Sequence, residues 1–293
     1  MSMDKFLESI ENITGTVKNL EEISKDCFLC QDELRNRIPD RKEVIKVIKD
    51  LQSLLFPNYF KHSEGSENVL SQTELLLNIY SRLAEQIKGA CEFNGTDMDA
   101  SAEEICDKFV NELPQVKKML IKDIEAIYEG DPAAKCHEEV LICYPGFYAI
   151  SIYRIAHVLY NLRVPLIPRI MTEFAHEKTG VDIHAGATIG EYFCIDHGTG
   201  IVIGETTTIG ERVKIYQGVT LGAKSFKLDE NGNPVKNIKR HPDIGNNVVI
   251  YANATILGGD TKIGDNCIIG GNTWLTKSVE SGKVVYYNEK PVM

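Results

Sequence analysis

Residues 181–221 read VDIHAGATIGEYFCIDHGTGIVIGETTTIGERVKIYQGVTL, and within them an aliphatic residue returns about every six positions. The same period resumes at residue 244 and continues to residue 275. An α-helix would rotate such a repeat around its surface, and an amphipathic strand would alternate every two residues. A period of six is typical of a triangular coil of short strands, in which each side points one aliphatic side chain into a stacked core. The thirteen positions are Ile183, Ile189, Ile195, Ile203, Ile209, Ile215, Leu221, Ile244, Ile250, Ile256, Ile263, Ile269 and Leu275.

Glycine, asparagine and aspartate supply the corners of this coil. Glycines directly follow many of the aliphatic positions, and Asn or Asp recurs between them. These residue types tolerate the dihedral angles of tight turns. The glycines are Gly190, Gly204, Gly210, Gly222, Gly245, Gly264 and Gly270, and the other turn residues are Asn246, Asn247, Asn253, Asp265 and Asn266. At three sides and roughly 18 residues a turn, the pattern predicts about four to five coils.

The residues before this repeat follow a different period, because their apolar side chains recur at helical spacing. The sequence Ser101-Ala-Glu-Glu is typical of a helix start. We therefore predict an α+β fold, with an N-terminal α-helical domain over residues 1–180 and a parallel β-helix of hexapeptide repeats over residues 181–280. We expect an extended loop at residues 223–240 and a short C-terminal tail over residues 281–293.

Composition and charge exclude several classes of protein. The chain has 293 residues, of which 43% are hydrophobic and 25% charged, which is typical of a globular protein. Its formal net charge of −10 argues against nucleic acid or an anionic membrane as the main partner. We find neither a secretory signal nor an apolar run near the roughly 20 residues that a membrane span needs. We therefore expect a cytoplasmic protein with no nucleic-acid or membrane partner.

The eight cysteines are scattered along the chain, which favours reduced thiols over a disulfide framework. Cys27 and Cys30 form a CxxC pair. A zinc ribbon needs a second pair at matching spacing, and Cys91 with Cys106 does not supply it. We interpret Cys27 and Cys30 as ordinary helix cysteines and expect no metal.

Three departures from the repeat carry polar residues suited to chemistry: Asp-Ile-His at 182–184, IDHGTGIVIGET at 195–206 and Lys-Arg-His-Pro at 239–242. Together these motifs resemble those of the serine acetyltransferases, which belong to the hexapeptide-repeat acyltransferases. The resemblance runs from about Gly130 to Leu275. It implies a left-handed coil, a homotrimer or a dimer of trimers, and active sites at subunit interfaces. It also implies transfer of acetyl from acetyl-CoA to the hydroxyl of L-serine, giving O-acetylserine and CoA, the first step of cysteine biosynthesis.

Acetylation of a serine hydroxyl needs a base, because an alcohol is a poor nucleophile while its proton stays on. Histidine suits this role, with an ordinary pKa of about 6.5. His197, in the Gly-rich second motif, is our candidate general base. Asp182 lies 15 residues earlier, a little under one coil, so it could orient the imidazole and stabilise the imidazolium. The resemblance implies the same His-Asp pair.

A zwitterionic acceptor needs a cation and an anion in its site. Arg240 offers a fork that matches a carboxylate, and Asp196 offers a partner for an ammonium group. The resemblance implies substrate-binding roles for Asp196, Arg240 and His241, with the Arg-His pair reaching across a subunit boundary. It also places Glu205 near that pair.

One position departs from the family pattern as we align it. Many family members place an aspartate that holds the substrate amine shortly after an Asp-Pro-Ala segment, and this alignment gives Lys135. Glu138 or Glu139 could replace that aspartate, or the contact could be absent. Either glutamate could equally be an ordinary charge at a helix N-terminus.

The acetyl-CoA cosubstrate would lie along a groove between neighbouring coils. Small side chains permit close approach of the backbone, and the family uses such sites to hold the pantetheine arm. Residues 213–242 hold six basic and two acidic residues, a local net charge of +4 that suits phosphates. No P-loop or GxGxxG motif opening a helix is present. The candidate cofactor-binding residues are Gly222, Ala223, Lys224, Ala252 and Gly271.

Three other readings stay open. An acyltransferase acting on a sugar hydroxyl or amine would use the same histidine without the zwitterion clamp. A zinc β-helix hydratase needs three converging imidazoles, and His184, His197 and His241 lack the spacing. The third is a non-catalytic scaffold.

Family members also often bind the sulfhydrylase that uses O-acetylserine through a C-terminal tail ending in isoleucine. This sequence ends in Met293, so we expect no such complex by that route.

Overall fold

The computed structural model describes residues 3–25, 38–60, 71–94 and 100–287. It contains two compact units, Met1–Ile38 and Pro39–Met293. The first unit holds helix α1, Met3–Lys25. The apolar side chains of α1 recur at spacings of three or four residues and are exposed. Cys27 and Cys30 lie outside the described residues, as do the last six residues of the chain, so the predictions on both stay untested.

The second unit begins with six described helices. They are α2 (Arg41–Leu55), α3 (Gln72–Asn94), α4 (Ala102–Gly130), α5 (His137–Cys143), α6 (Pro145–Asn161) and α7 (Ile167–Thr179). The predicted start at Ser101 is confirmed: its hydroxyl accepts a hydrogen bond from the backbone N–H of Glu104, and the Glu104 carboxylate accepts one from the backbone N–H of Ser101. Among the described residues, no helix is long and apolar enough to span a membrane.

Short parallel strands follow and form three sheets, which are the three sides of the coil. The strands are β1 (Asp182–Ile183), β2 (Thr188–Ile189), β3 (Cys194–Asp196), β4 (Val202–Ile203), β5 (Thr208–Ile209), β6 (Lys214–Tyr216), β7 (Thr220–Gly222), β8 (Asp243–Ile244), β9 (Val249–Ile250), β10 (Thr255–Leu257), β11 (Lys262–Ile263), β12 (Ile268–Ile269), β13 (Trp274–Leu275) and β14 (Val284–Val285). The sheet orders are β1-β4-β7-β10-β13, β11-β8-β5-β2 and β14-β12-β9-β6-β3.

This arrangement confirms the predicted architecture, a helical domain followed by a left-handed parallel β-helix of about five turns. The strand register stacks the repeat positions directly, with Ile183 over Ile203 and Ile203 over Leu221. All thirteen predicted core positions are buried except Leu275 in β13, which is half-buried. Pairing continues beyond residue 280, because β14 pairs with β12.

A buried ion pair joins the helices to the first coil. Arg154 in α6 donates two hydrogen bonds to Asp123 in α4, at 2.6 and 2.8 Å. The same guanidinium donates to the backbone carbonyls of Ile189 and Gly190, and Asp123 accepts from the backbone N–H of Phe193. Both side chains are almost fully buried, so each charge depends on the other.

Replacing Asp123 with Asn should therefore lower the free energy of unfolding by about 3–5 kcal/mol, since Arg154 would keep a buried charge without a counterion. Urea denaturation of wild type and Asp123→Asn measures this loss. As a control, Glu177→Gln removes the exposed partner of Arg41 and should change stability little. A loss below about 1 kcal/mol for Asp123→Asn would contradict the role given to this pair.

Candidate active site

His197 stands on the corner that follows β3. Its backbone adopts φ of 59°, and the next residue, Gly198, adopts φ of 91°. A Cβ atom at residue 198 would lie within about 3.0 Å of the side chains of Val181 and Ile195, so this corner requires glycine. The same left-handed conformation recurs at other corners of the coil, such as Asn247, Asn253 and Asn266, so it is a property of these turns. The turn leaves the imidazole of His197 73% exposed.

Asp196 lies beside this imidazole and also contacts Lys214. The Nε2 atom of His197 is 3.8 Å from Oδ1 of Asp196, and the other Asp196 oxygen, Oδ2, is 2.9 Å from Nζ of Lys214. The Asp196 side chain is only 11% exposed. A largely buried carboxylate is therefore held close to a solvent-facing imidazole.

Asp131 adds a second carboxylate from the helical domain. It follows the last residue of α4 and accepts hydrogen bonds from the Tyr144 hydroxyl at 2.6 Å and from the backbone N–H of Ala133 at 2.8 Å. These bonds, helped by the charges of Lys214 and His197, hold the pKa of Asp131 below its usual range. In the sequence, Asp131 does not stand out as a site residue, because Gly-Asp-Pro at this point is typical of a turn that ends a helix.

A second polar group occupies a different corner, the one that follows β4. Nη2 of Arg240 is 2.5 Å from Oε2 of Glu205, whose other oxygen accepts from the Tyr160 hydroxyl at 3.1 Å. Burial opposes the charge of Glu205, but the hydrogen bond from Arg240 and the nearby charge of His184 outweigh it, so the pKa of Glu205 is lowered. This corner thus offers a guanidinium that is already oriented.

His241 packs into the same corner. Its ring would lie 2.1 Å from a Cβ atom at residue 204, so only glycine fits there. Its Nδ1 atom accepts a hydrogen bond from the backbone N–H of Thr206. Burial, followed by the positive charge of Arg240, lowers the pKa of His241 to about 4. His241 is therefore neutral near pH 7.

The structure does not bring all the predicted residues together. Among the residues it describes, neither a hydrogen bond nor an ion pair joins Asp182 to His197, and none joins His197 to Arg240. Asp182 lies near Glu173 and His176, whose potential ligand atoms all come within 4.8 Å of one another and could hold a cation. His197 does not belong to this set of potential metal ligands.

Glu138 and Glu139 lie in the first turn of α5. Glu139 accepts a hydrogen bond from the backbone N–H of Lys135 at 2.8 Å. Hydrogen bonds, led by the backbone N–H of Glu138 itself, lower the pKa of Glu138. In the described part of the chain, neither glutamate forms a hydrogen bond or ion pair with His197 or Asp196.

The candidate cofactor residues divide between the two corners. Gly222, Ala223 and Lys224 end or follow β7, in the same sheet as β4. Ala252 and Gly271 follow β9 and β12, in the same sheet as β3 and so on the His197 side. A Cβ atom at residue 271 would lie 3.0 Å from the Ala252 carbonyl oxygen, which shows how closely these two backbones approach.

The loop at residues 223–240 contributes to a basic cavity of about 220 Å³. Four cationic side chains and one carboxylate, that of Asp260, line it. The four are Lys224, Lys227, Lys239 and Arg240. Such a cavity suits a phosphorylated ligand.

Two family models match the chain: "Bacterial transferase hexapeptide (six repeats)" over residues 241–277 and "Serine acetyltransferase, N-terminal" over residues 62–151. A plasmid serine acetyltransferase of Synechococcus elongatus is 46% identical over 260 residues, which cover 85% of this chain and 81% of that protein. The solved structure of Entamoeba histolytica serine acetyltransferase 1 with L-cysteine matches with a TM-score of 0.73 and 36% identity, over 83% of this chain and 86% of that one. Brucella abortus serine acetyltransferase with coenzyme A matches with a TM-score of 0.57 and 25% identity, over 83% and 78%.

The low pKa of His241 predicts a loss of stability in acid. Between about pH 6.5 and about pH 4, the unfolded chain binds a proton at this histidine that the folded chain does not. The free energy of unfolding should therefore fall as the pH drops through this window. His241→Asn keeps an acceptor for the Thr206 N–H but cannot titrate, so it should lose less stability than wild type between about pH 7 and 4.5. Urea denaturation at both pH values provides the measurement.

The matched control is His137→Asn, because His137 in α5 pairs with Glu125 at an exposed site, where an ion pair contributes little to stability. The free energy of unfolding of His137→Asn should fall as steeply as that of wild type when the pH drops from about 7 to about 4.5. Equal losses in wild type and His241→Asn would show that the buried imidazole does not stay neutral in the folded chain.

Proposed function

The chain belongs to the serine acetyltransferase family, and we propose that it transfers acetyl from acetyl-CoA to the hydroxyl of L-serine with His197 as general base. The observation that carries this proposal is an exposed imidazole, turned outward by a left-handed corner, beside the carboxylate of Asp196. Family membership provides the reaction, and this geometry supports the choice of base.

In the proposed reaction, the His197 ring takes the proton from the serine hydroxyl as its oxygen attacks the acetyl carbonyl carbon. The tetrahedral intermediate then collapses, the carbon–sulfur bond breaks, and the departing CoA sulfur takes up the proton from the imidazolium. A base placed in this way contributes typically 10²–10⁴-fold to the rate. The nearby carboxylate of Asp196 would stabilise the imidazolium while it exists.

The ammonium group of serine would bind between Asp131 and Asp196. Both carboxylates lie on the His197 side, and hydrogen bonds favour the charged form of Asp131. We therefore propose Asp131 for the amine contact, in place of the candidates Glu138 and Glu139 that the sequence left open. Arg240 would bind the serine carboxylate, with His241 and Glu205 fixing its position.

The separation of the two corners supports an active site shared between copies of the chain. One corner carries the base and the carboxylates, and the other carries the cation, yet a zwitterion needs both. We propose that the β3 corner of one subunit faces the β4 corner of its neighbour in a homotrimer, since head-to-tail contacts close into rings. Asp182 would then orient His197 across this same seam.

Acetyl-CoA would lie along this seam. Ala252 and Gly271 leave room for the pantetheine arm on one side, with Gly222 and Ala223 on the other. Lys224 and its neighbours in the basic cavity would bind the phosphates. Small residues would thus leave room for acetyl-CoA, and lysine side chains would bind its phosphates through opposite charge.

Replacing His197 with Asn should lower serine-dependent CoA release by about 100-fold to 10,000-fold, because the base is lost while the turn tolerates asparagine. The assay follows free thiol from acetyl-CoA with serine, homoserine, a galactoside and an amino sugar as acceptors. The control His137→Asn should keep full activity. Preference for the sugar acceptors, or undiminished release by His197→Asn, would contradict the proposal.

The shared site can be tested with hybrid oligomers. His197→Asn and Arg240→Gln should each be nearly inactive alone, but coexpression should restore about a quarter of the wild-type activity in a trimer, because one seam in four then has both wild-type residues. Separately purified variants that are mixed without exchange of subunits provide the control. If coexpressed subunits stay inactive, the two corners do not act across a seam.

A further inference from the structure

Lys214 contacts the carboxylate of Asp196, the end of helix α4 and the ring of Tyr216. It lies in β6 and pairs with Cys194 in β3. Its Nζ atom is 2.9 Å from Oδ2 of Asp196 and donates a hydrogen bond to the carbonyl oxygen of Gly130 at 2.6 Å. The same atom is 4.4 Å from the ring centroid of Tyr216. The side chain is only 16% exposed, so its position is well defined.

The contact with Gly130 fixes the end of α4. Carbonyl groups at a helix C-terminus lack partners within the helix, and a lysine can satisfy them. Gly130 is the last residue of α4, and Asp131 follows it directly. Lys214 therefore controls where Asp131 stands relative to the corner of His197.

The contact with Asp196 sets the charge of the site. Burial opposes the charge of Lys214, but hydrogen bonds with Tyr216 and Asp196 outweigh it and raise the lysine pKa, so Lys214 is a cation at neutral pH. The titratable groups around Lys214 and His197 are Asp131, Asp196, Cys194, Tyr144 and Tyr216, and Glu139 lies near Tyr144. Within the cluster of Asp131, Asp196 and Lys214, two carboxylates and one lysine leave one net negative charge, which matches a single ammonium group.

We propose that Lys214 is a positioning residue for the acceptor: it holds Asp196 and the end of α4 together, and so sets both the spacing and the net charge of the two carboxylates that receive the ammonium group. This inference rests on the proposed function. Lys214 lies outside the three sequence motifs. It would influence which acceptor binds, although it would touch neither the reacting oxygen nor the acetyl group.

Two variants separate the charge from the hydrogen bond. Lys214→Met removes both contacts, whereas Lys214→Gln keeps a donor for Gly130 and loses the charge. In Lys214→Met, kcat/KM for serine should fall about tenfold, the worth of one such hydrogen bond to a charged group, while KM for acetyl-CoA stays unchanged. In both variants the acid limb of the pH profile should move to higher pH by roughly one unit, because uncompensated carboxylates favour the protonated imidazole.

The matched control is Lys122→Met. Lys122 also joins α4 to the coil, through an ion pair with Glu191, but it lies about two turns of α4 before Gly130. Its pH profile and its KM for serine should equal those of wild type. Lys214→Arg, which keeps the charge, should keep the wild-type acid limb even if its kcat/KM falls.

The outcomes distinguish this inference from the proposed function. Wild-type protein that releases no CoA in response to serine would overturn both. Active wild type with unchanged pH profiles in Lys214→Met and Lys214→Gln would overturn the role of Lys214 alone. A higher kcat/KM for serine in Lys214→Met would also overturn it, since Lys214 would then compete with the ammonium group.

Discussion

The stacking of one aliphatic side chain per strand is the constraint on which the rest of this structure depends. Each coil can bury its isoleucines only against those of the coils above and below, as Ile183, Ile203 and Leu221 do. This register aligns the corners into columns that run along the coil. The candidate functional residues lie on these corners, so their placement follows from the packing of the core. His197 follows β3 and Glu205 follows β4. Because these two strands lie in different sheets, the two residues belong to different columns.

The helical domain takes part in the site as well as in the fold. The buried pair of Asp123 and Arg154 fixes α4 and α6 against the first coil. Because α4 is fixed, its C-terminal end meets the β3 corner, where Gly130 contacts Lys214 and Asp131 approaches His197. The helices thus supply a carboxylate whose pKa is lowered in part by the charge of His197, the imidazole that lies 3.8 Å from Asp196 of the coil.

Electrostatics divides the two columns into complementary halves. One gathers carboxylates around a solvent-facing imidazole, and the other orients a guanidinium between Glu205 and a neutral His241. A zwitterionic amino acid has one group that suits each half. The division explains why a single copy of the chain displays the groups without assembling them, and why the proposed site needs two copies.

The sequence by itself determined the coil, its core and the motif residues, because a six-residue period and a short motif are local properties of the chain. It also made His197 a candidate base, since a histidine in a glycine-rich interruption of the repeat is visible without coordinates. It did not identify Asp131, which lies in a sequence typical of a helix-ending turn. Nor did it identify Lys214, which looks like an ordinary charged residue on a strand. Only the tertiary structure brought these residues together and left Asp182 apart from His197 within one chain. Their contacts depend on where the end of α4 meets the corner of the coil, which no spacing along the sequence specifies.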